Sequence, residues 1–172
     1  DADGEPNGML KLDVEPDGRV NGIMVVVRPD SRRQGIATRM YEVAKENGLA
    51  YPASGIVVAN GTKQAIANAI LSVVGPGDEV IILAPYWLSY EATVRLAGGI
   101  PVVLASTVQE NYKVPAGRIA QVVNARSKLL IVNSPCNPTG AVWSRKELQA
   151  LGDIVLAHPQ LMVLADEIYE YI

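Results

Sequence analysis

A chain of 172 residues with 49% hydrophobic content and a net charge of −3 holds enough apolar material for one folded domain with a real core, which excludes a disordered chain. The slight charge of mixed sign favours neither nucleic acid nor an anionic membrane as partner, no apolar stretch reaches spanning length, and the acidic, polar start is not a signal peptide, so a cytoplasmic location is expected. A lone cysteine, Cys136, and a lone histidine, His158, leave no internal disulfide, agree with a reducing compartment and argue against a metal site.

Apolar runs from Met9 to Val14 and from Gly22 to Val27 flank the turn Glu15-Pro16-Asp17-Gly18, a pattern that predicts a β-hairpin. A basic loop follows, Arg32-Arg33-Gln34-Gly35-Ile36-Ala37-Thr38, and opens a predicted helix over 39–47 that Gly48 closes. Free N–H groups, the positive helix end and Arg32, Arg33 and Arg39 suit a phosphate or pyrophosphate; a plain basic loop at a solvated helix start has the same composition.

From Lys45 to the end the chain alternates between short aliphatic runs and helical patterns. Strands are predicted over 56–59, 80–83, 101–105, 128–132 and 161–165, with helices over 64–74, 88–97, 115–124 and 144–157 between them. Ser144 followed by Glu147 has capping-box spacing, and Gly75-Pro76-Gly77 and Gly98-Gly99 are stop signals. Such alternation predicts an α/β fold, a three-layer α/β/α arrangement around a mostly parallel sheet, preceded by the β-hairpin and its helix. The hairpin and helix are expected to pack on that domain or to hang loosely from it.

The residues with chemical potential fall where strands end. In a parallel sheet those ends share one edge. Gly61-Thr62-Lys63 begin a helix whose N–H groups can hold a phosphate, and Trp87 offers a face for a planar ring. The apolar strand before Asn133-Ser134-Pro135-Cys136-Asn137-Pro138-Thr139-Gly140 delivers a loop in which two prolines stiffen the surroundings of Asn137. Asp166 ends another apolar strand and needs a partner there, which a protonated ring nitrogen supplies, while Tyr169 can donate its phenol to an oxygen on the same ring. Taken singly, these residues also suit ordinary turns, helix starts and packing. Together they describe a site for pyridoxal 5′-phosphate.

Two resemblances divide the chain. Residues 1–47, through Arg32-Arg33-Gln34-Gly35-Ile36-Ala37, resemble the hairpin, pyrophosphate loop and helix of the GNAT-type N-acetyltransferases. That resemblance implies a candidate loop for the phosphates of acetyl-CoA at Arg32, Arg33, Gly35, Ala37 and Thr38. Residues 48–172, with the likeness starting near Lys45, resemble part of the large domain of the class I, fold-type I aminotransferases, the aspartate aminotransferase branch above all. The matching runs are Asn60-Gly61-Thr62-Lys63-Gln64-Ala65, Pro76-Gly77-Asp78-Glu79-Val80, Pro85-Tyr86-Trp87, Asn133 to Gly140 and Asp166-Glu167-Ile168-Tyr169.

The second resemblance implies amino-group transfer between an amino acid such as aspartate and a 2-oxo acid, with pyridoxal 5′-phosphate as cofactor. It implies that Gly61, Thr62 and Lys63 hold the phosphate, Trp87 stacks on the pyridine, Asn137 and Tyr169 bond the ring oxygen, and Asp166 pairs with the ring nitrogen. The family's Ser-x-x-Lys segment, whose lysine holds the cofactor covalently, does not occur in these residues. No catalytic residue is therefore assigned, binding is expected to be non-covalent, and these residues alone are expected not to turn substrate over. Acetyl-CoA binding by residues 1–47 and a non-catalytic α/β scaffold are the alternative readings. Apolar surface left uncovered by a partial large domain predicts self-association, as a homo-oligomer or otherwise.

Overall fold

The computed structural model describes residues 9–13, 21–26 and 56–169. A seven-stranded sheet organises them, formed by β1 (Met9–Asp13), β2 (Asn21–Val26), β3 (Ile56–Ala59), β4 (Glu79–Ala84), β5 (Ile100–Ala105), β6 (Ser127–Asn133) and β7 (Met162–Asp166) in the order β3-β2-β1-β7-β6-β4-β5. Among the described strands β1 alone runs against the others: it is antiparallel to β2 and β7, whereas β2 with β3, and β4 with β5 and β6, and β6 with β7, are parallel. Right-handed crossover connections through helices give such a sheet two covered faces. The helices are α1 (Thr62–Val73), α2 (Ser89–Leu96), α3 (Ala116–Val122) and α4 (Arg145–Ala157).

Alternation along each central strand sends neighbouring side chains into different cores. Val80 and Ile82 of β4, Leu129 and Ile131 of β6 and Leu164 of β7 pack with Ala65, Ile66, Ala69 and Ile70 of α1 and with Tyr90 and Val94 of α2. On the opposite face Ile81, Leu130 and Val132 pack with Ile119 of α3 and Leu151 of α4. Each fully buried aliphatic side chain contributes about 1.5–3 kcal/mol relative to exposure, so both faces are held by the same effect. The expected three layers follow from these two cores.

Local signals set the helix ends. Ser144 accepts from the Glu147 N–H while the Glu147 carboxylate accepts from the Ser144 N–H at 2.7 Å, completing the capping box expected at the start of α4. Gly98 adopts φ 82° after α2, a conformation that costs glycine little.

The hairpin departs from expectation. Its strands form with Met9 opposite Val25 and Asp13 opposite Asn21, but they lie inside the sheet, β2 on β3 and β1 on β7, rather than upon it. Unpaired strand edges at β3 and β7 would leave rows of backbone donors and acceptors open, and an extended hairpin of any sequence satisfies both. The helix expected over 39–47 lies outside the described residues, as does the loop carrying Arg32, Arg33, Gly35, Ala37 and Thr38.

Gly99 is where the first core has least room. A Cβ there would lie 2.5 Å from Val74 Cγ1 and 3.3 Å from the Val94 carbonyl oxygen. Gly99→Ala is expected to lower unfolding free energy by about 1–3 kcal/mol, the usual cost of overpacking, in a urea titration; an unchanged midpoint would show that the start of β5 yields freely.

Candidate functional site

The carboxyl ends of β3, β4, β6 and β7 meet along one edge of the sheet, and a cavity of about 330 Å³ opens there, within the range of small-ligand pockets. Gly61, Thr62, Lys63, Trp87, Asn137, Asp166 and Tyr169 all line it. The structure thus brings every residue expected from the sequence at the pyridoxal 5′-phosphate site into one pocket. Three further residues complete the lining: Tyr90, Asn133 and Ile168.

Gly61 enters α1 with φ 99°, in the left-handed half of backbone space, and no side chain caps that helix. The first N–H groups of a helix have no partner within it, and the first turn of α1 carries no acidic residue, unlike those of α2 and α4 with Glu91 and Glu147. Its positive end therefore faces the cavity without a compensating carboxylate in that turn. The Lys63 ammonium lies 5.2 Å from the centroid of the Trp87 ring, near the same opening.

Asp166 sits at the opposite wall, 3% exposed, as the last residue of β7. Its Oδ2 accepts from the Tyr90 hydroxyl, and its Oδ1 accepts from the Ile168 N–H at 3.3 Å. Burial pushes the carboxyl above its ordinary pKa, and the two hydrogen bonds oppose that rise. Tyr90 is itself buried and stays protonated, because desolvation and then the neighbouring Asp166 charge raise its pKa strongly. Its ring meets Trp87 edge-on, with centroids 5.6 Å apart and planes at 86°.

The amide at the end of β6 ties the third side of the site. Asn133 lies opposite Asp166 in the parallel register, donates from Nδ2 to the Asp166 carbonyl at 2.8 Å, and accepts from the Asn137 N–H at 2.7 Å. Ser134 N–H donates to the same carbonyl. Asn137 then reaches Tyr169, its Nδ2 donating to the phenolic oxygen at 3.3 Å. With that oxygen accepting, the Tyr169 proton and the second Asn137 amide hydrogen remain to be donated elsewhere. Cys136 takes no part in this arrangement; its thiol contacts the Pro85 carbonyl at 3.4 Å, in keeping with a small loop residue. Among the described residues no group of His, Cys, Asp and Glu is placed to hold a metal ion, and no helix is long and apolar enough to cross a membrane.

Tyr90 and Asn133 carried signals in the sequence. Tyr90 follows Trp87 by one helical turn, a spacing that puts both on one side of a helix start. Asn133 closes an apolar strand just as Asp166 does.

Comparison with known proteins places these features in context. The family model for aminotransferase class I and II matches residues 20–172, beginning within the segment that resembles an acetyltransferase, and the acetyltransferase reading gains no support from it. A bifunctional aspartate aminotransferase and glutamate/aspartate-prephenate aminotransferase of Petunia hybrida is 46% identical over 132 residues, 77% of this chain and 28% of that protein. An aspartate/prephenate aminotransferase of Cereibacter sphaeroides is 43% identical over 74% of this chain and 32% of its own length. The crystal structure of the aspartate aminotransferase from Rhizobium meliloti superposes with a TM-score of 0.73 at 38% identity, covering 79% of this chain and 34% of that one. That of the Thermus thermophilus aspartate aminotransferase with maleate gives 0.72 at 39%, over 78% and 35%. The chain spans about a third of the length of these relatives.

The raised Asp166 pKa fixes a pH dependence. A carboxyl whose folded pKa lies above its unfolded value holds its proton more tightly in the folded state, so stability falls as pH rises from the unfolded value through the folded one and is level above it. Asp166→Asn removes that titration. Urea unfolding across pH 3 to 8, a window of about five units, is expected to show the variant gaining on the parent chain as pH rises; a variant less stable at neutral pH than at acid pH, relative to the parent, would refute the assignment.

Proposed function

The chain belongs to the class I and II aminotransferases, and we propose that its pocket is a pyridoxal 5′-phosphate site within an enzyme that moves amino groups between an amino acid, aspartate among them, and a 2-oxo acid. The observation that carries this reading is a buried carboxylate, an uncapped helix N-terminus and a tryptophan face lining one cavity. These groups fit the cofactor by type: N–H donors for a phosphate dianion, an indole for a planar ring, an anion for a protonated ring nitrogen and two donors for a ring oxygen. The family's cofactor supplies an electron-withdrawing ring in conjugation with the substrate's α-carbon.

The chain's own residues bind and orient in this reading. Gly61, Thr62 and Lys63 take the phosphate at the α1 terminus. Asp166, ionised, would pair with a protonated ring nitrogen and so favour an electron-poor ring, while Asn137 and Tyr169 would donate to the ring oxygen and Trp87 would offer a face to the ring. Holding is non-covalent through these groups. The maleate in the Thermus thermophilus structure is a dicarboxylate, which supports dicarboxylic amino acids as the substrate class.

Leu88, the residue before α2 and 82% exposed, and Leu96, its last residue and 75% exposed, support self-association of the chain. A cytoplasmic location belongs to the same proposal.

Titration of the purified chain with pyridoxal 5′-phosphate, followed by tryptophan fluorescence, is expected to saturate. Asp166→Ala should weaken binding about tenfold or more, since a hydrogen bond to a charged partner is worth about 1.5–3 kcal/mol. Equal affinity in parent and variant would overturn the assignment of Asp166.

A further inference from the structure

We propose that Tyr90 is the positioning residue of this site: its hydroxyl holds the Asp166 carboxylate while its ring packs edge-on with Trp87, so that one buried side chain sets both the anion for a ring cation and the surface on which the ring lies. The inference rests on the cofactor reading above and extends it to a residue that reading does not use. Tyr90 occupies the first turn of α2, is 1% exposed, and lines the cavity. Its contacts reach in two directions. One is the hydrogen bond to Asp166 Oδ2, across 76 residues of sequence; the other is the edge-on contact with Trp87 at 5.6 Å and 86°.

The chemistry of the pair gives the contact a direction. An ionised carboxylate has no proton to give, so the phenol donates and Asp166 accepts. The Ile168 N–H takes the other carboxylate oxygen at 3.3 Å, and with a donor on each oxygen the plane of the carboxylate is set. Burial favours the neutral acid at Asp166, and the Tyr90 bond works against it, helping to keep an anion where the solvent cannot. Removing that hydroxyl leaves a carboxyl freer to rotate and easier to protonate. Either change weakens its grip on a ring N–H while leaving phosphate and stacking contacts in place. A purely structural tyrosine would affect every ligand of the pocket alike.

The test compares two probes in the full chain: pyridoxal 5′-phosphate and its 1-deaza analogue, in which carbon replaces the ring nitrogen. The parent chain is expected to bind the first more tightly. Tyr90→Phe retains the ring contact with Trp87 and is expected to reduce that preference about tenfold, about 1.4 kcal/mol, with affinity for the analogue changed less than about twofold. Circular dichroism reports whether the variant folds; if it does not, Tyr90→His, which keeps an N–H donor, replaces it and is expected to keep the parent's preference for the nitrogen-bearing ring. A folded Tyr90→Phe chain with undiminished preference, equal losses for both probes, or a folded Tyr90→His chain without preference overturns the role of Tyr90 and leaves the cofactor site standing. A parent chain that binds neither probe, or binds both alike, removes the cofactor reading and this inference with it.

Discussion

A carboxylate buried at the end of a strand is the constraint around which this edge of the molecule is arranged. Removing an unpaired carboxylate from water costs several kcal/mol even after relaxation, so Asp166 at 3% exposure has to be surrounded by donors. They come from separate parts of the chain: the Tyr90 hydroxyl from α2 and the Ile168 N–H from the turn that follows β7. The Asp166 carbonyl is held as well, by the Asn133 amide and the Ser134 N–H. Because Asn133 also holds the Asn137 N–H, the loop after β6 and the turn after β7 are fastened to one residue pair. The geometry of Asn137 and Tyr169 is therefore a consequence of satisfying Asp166 and its neighbour.

The opening opposite is held far more lightly. Lys63 at 5.2 Å from the Trp87 centroid is an exposed cation over an aromatic ring, a contact worth about 0.5–1 kcal/mol. A phosphate at the α1 terminus would offer the same ammonium a charged partner. The lysine is thus free to exchange one weak contact for another as a ligand enters, whereas Tyr90, buried against the same indole, is not. The pocket has a fixed wall at Asp166 and a yielding one at Lys63.

Much of this was legible in the sequence because the sheet is mostly parallel. Central strands read as short aliphatic runs, and the direct parallel pairing of β4, β6 and β7 then brings Trp87, Asn137 and Asp166 to one edge without knowledge of a single contact, while Gly61 reaches the same edge because β1 reverses direction twice between β2 and β7. Capping was legible for a similar reason, since Ser144 and Glu147 act within one turn. Tyr90 was not read as part of the site, because its role depends on a partner 76 residues away, and its spacing from Trp87 places it beside that ring without showing what its hydroxyl meets. The hairpin's seat was illegible for a different reason. Alternation fixes which residues pair within Met9–Val26, but the edges of β3 and β7 offer backbone groups that carry no sequence information, so where the hairpin docks is decided by what edge is left open.

A second buried carboxylate shows what a structural acid looks like in the same sheet. Glu79 opens β4 at the edge away from the cavity and is 6% exposed, yet its Oε1 pairs with the Arg126 guanidinium and its Oε2 accepts from Asn124 Nδ2 at 2.7 Å. There the protein supplies its own cation, and the pair closes the junction between β4 and β6, where the Glu79 N–H also bonds the Arg126 carbonyl at 2.8 Å. Asp166 has a similar degree of burial but, among the described residues, neutral donors only, a phenol and an amide, and it faces a cavity instead of a guanidinium. Selection for stability alone has no reason to treat the two ends of one sheet so differently, because a buried acid with neutral partners is inferior to either an ion pair or an apolar side chain. The difference is what a cationic ligand requires: an anion kept dry, oriented and unpaired until the ligand itself completes it.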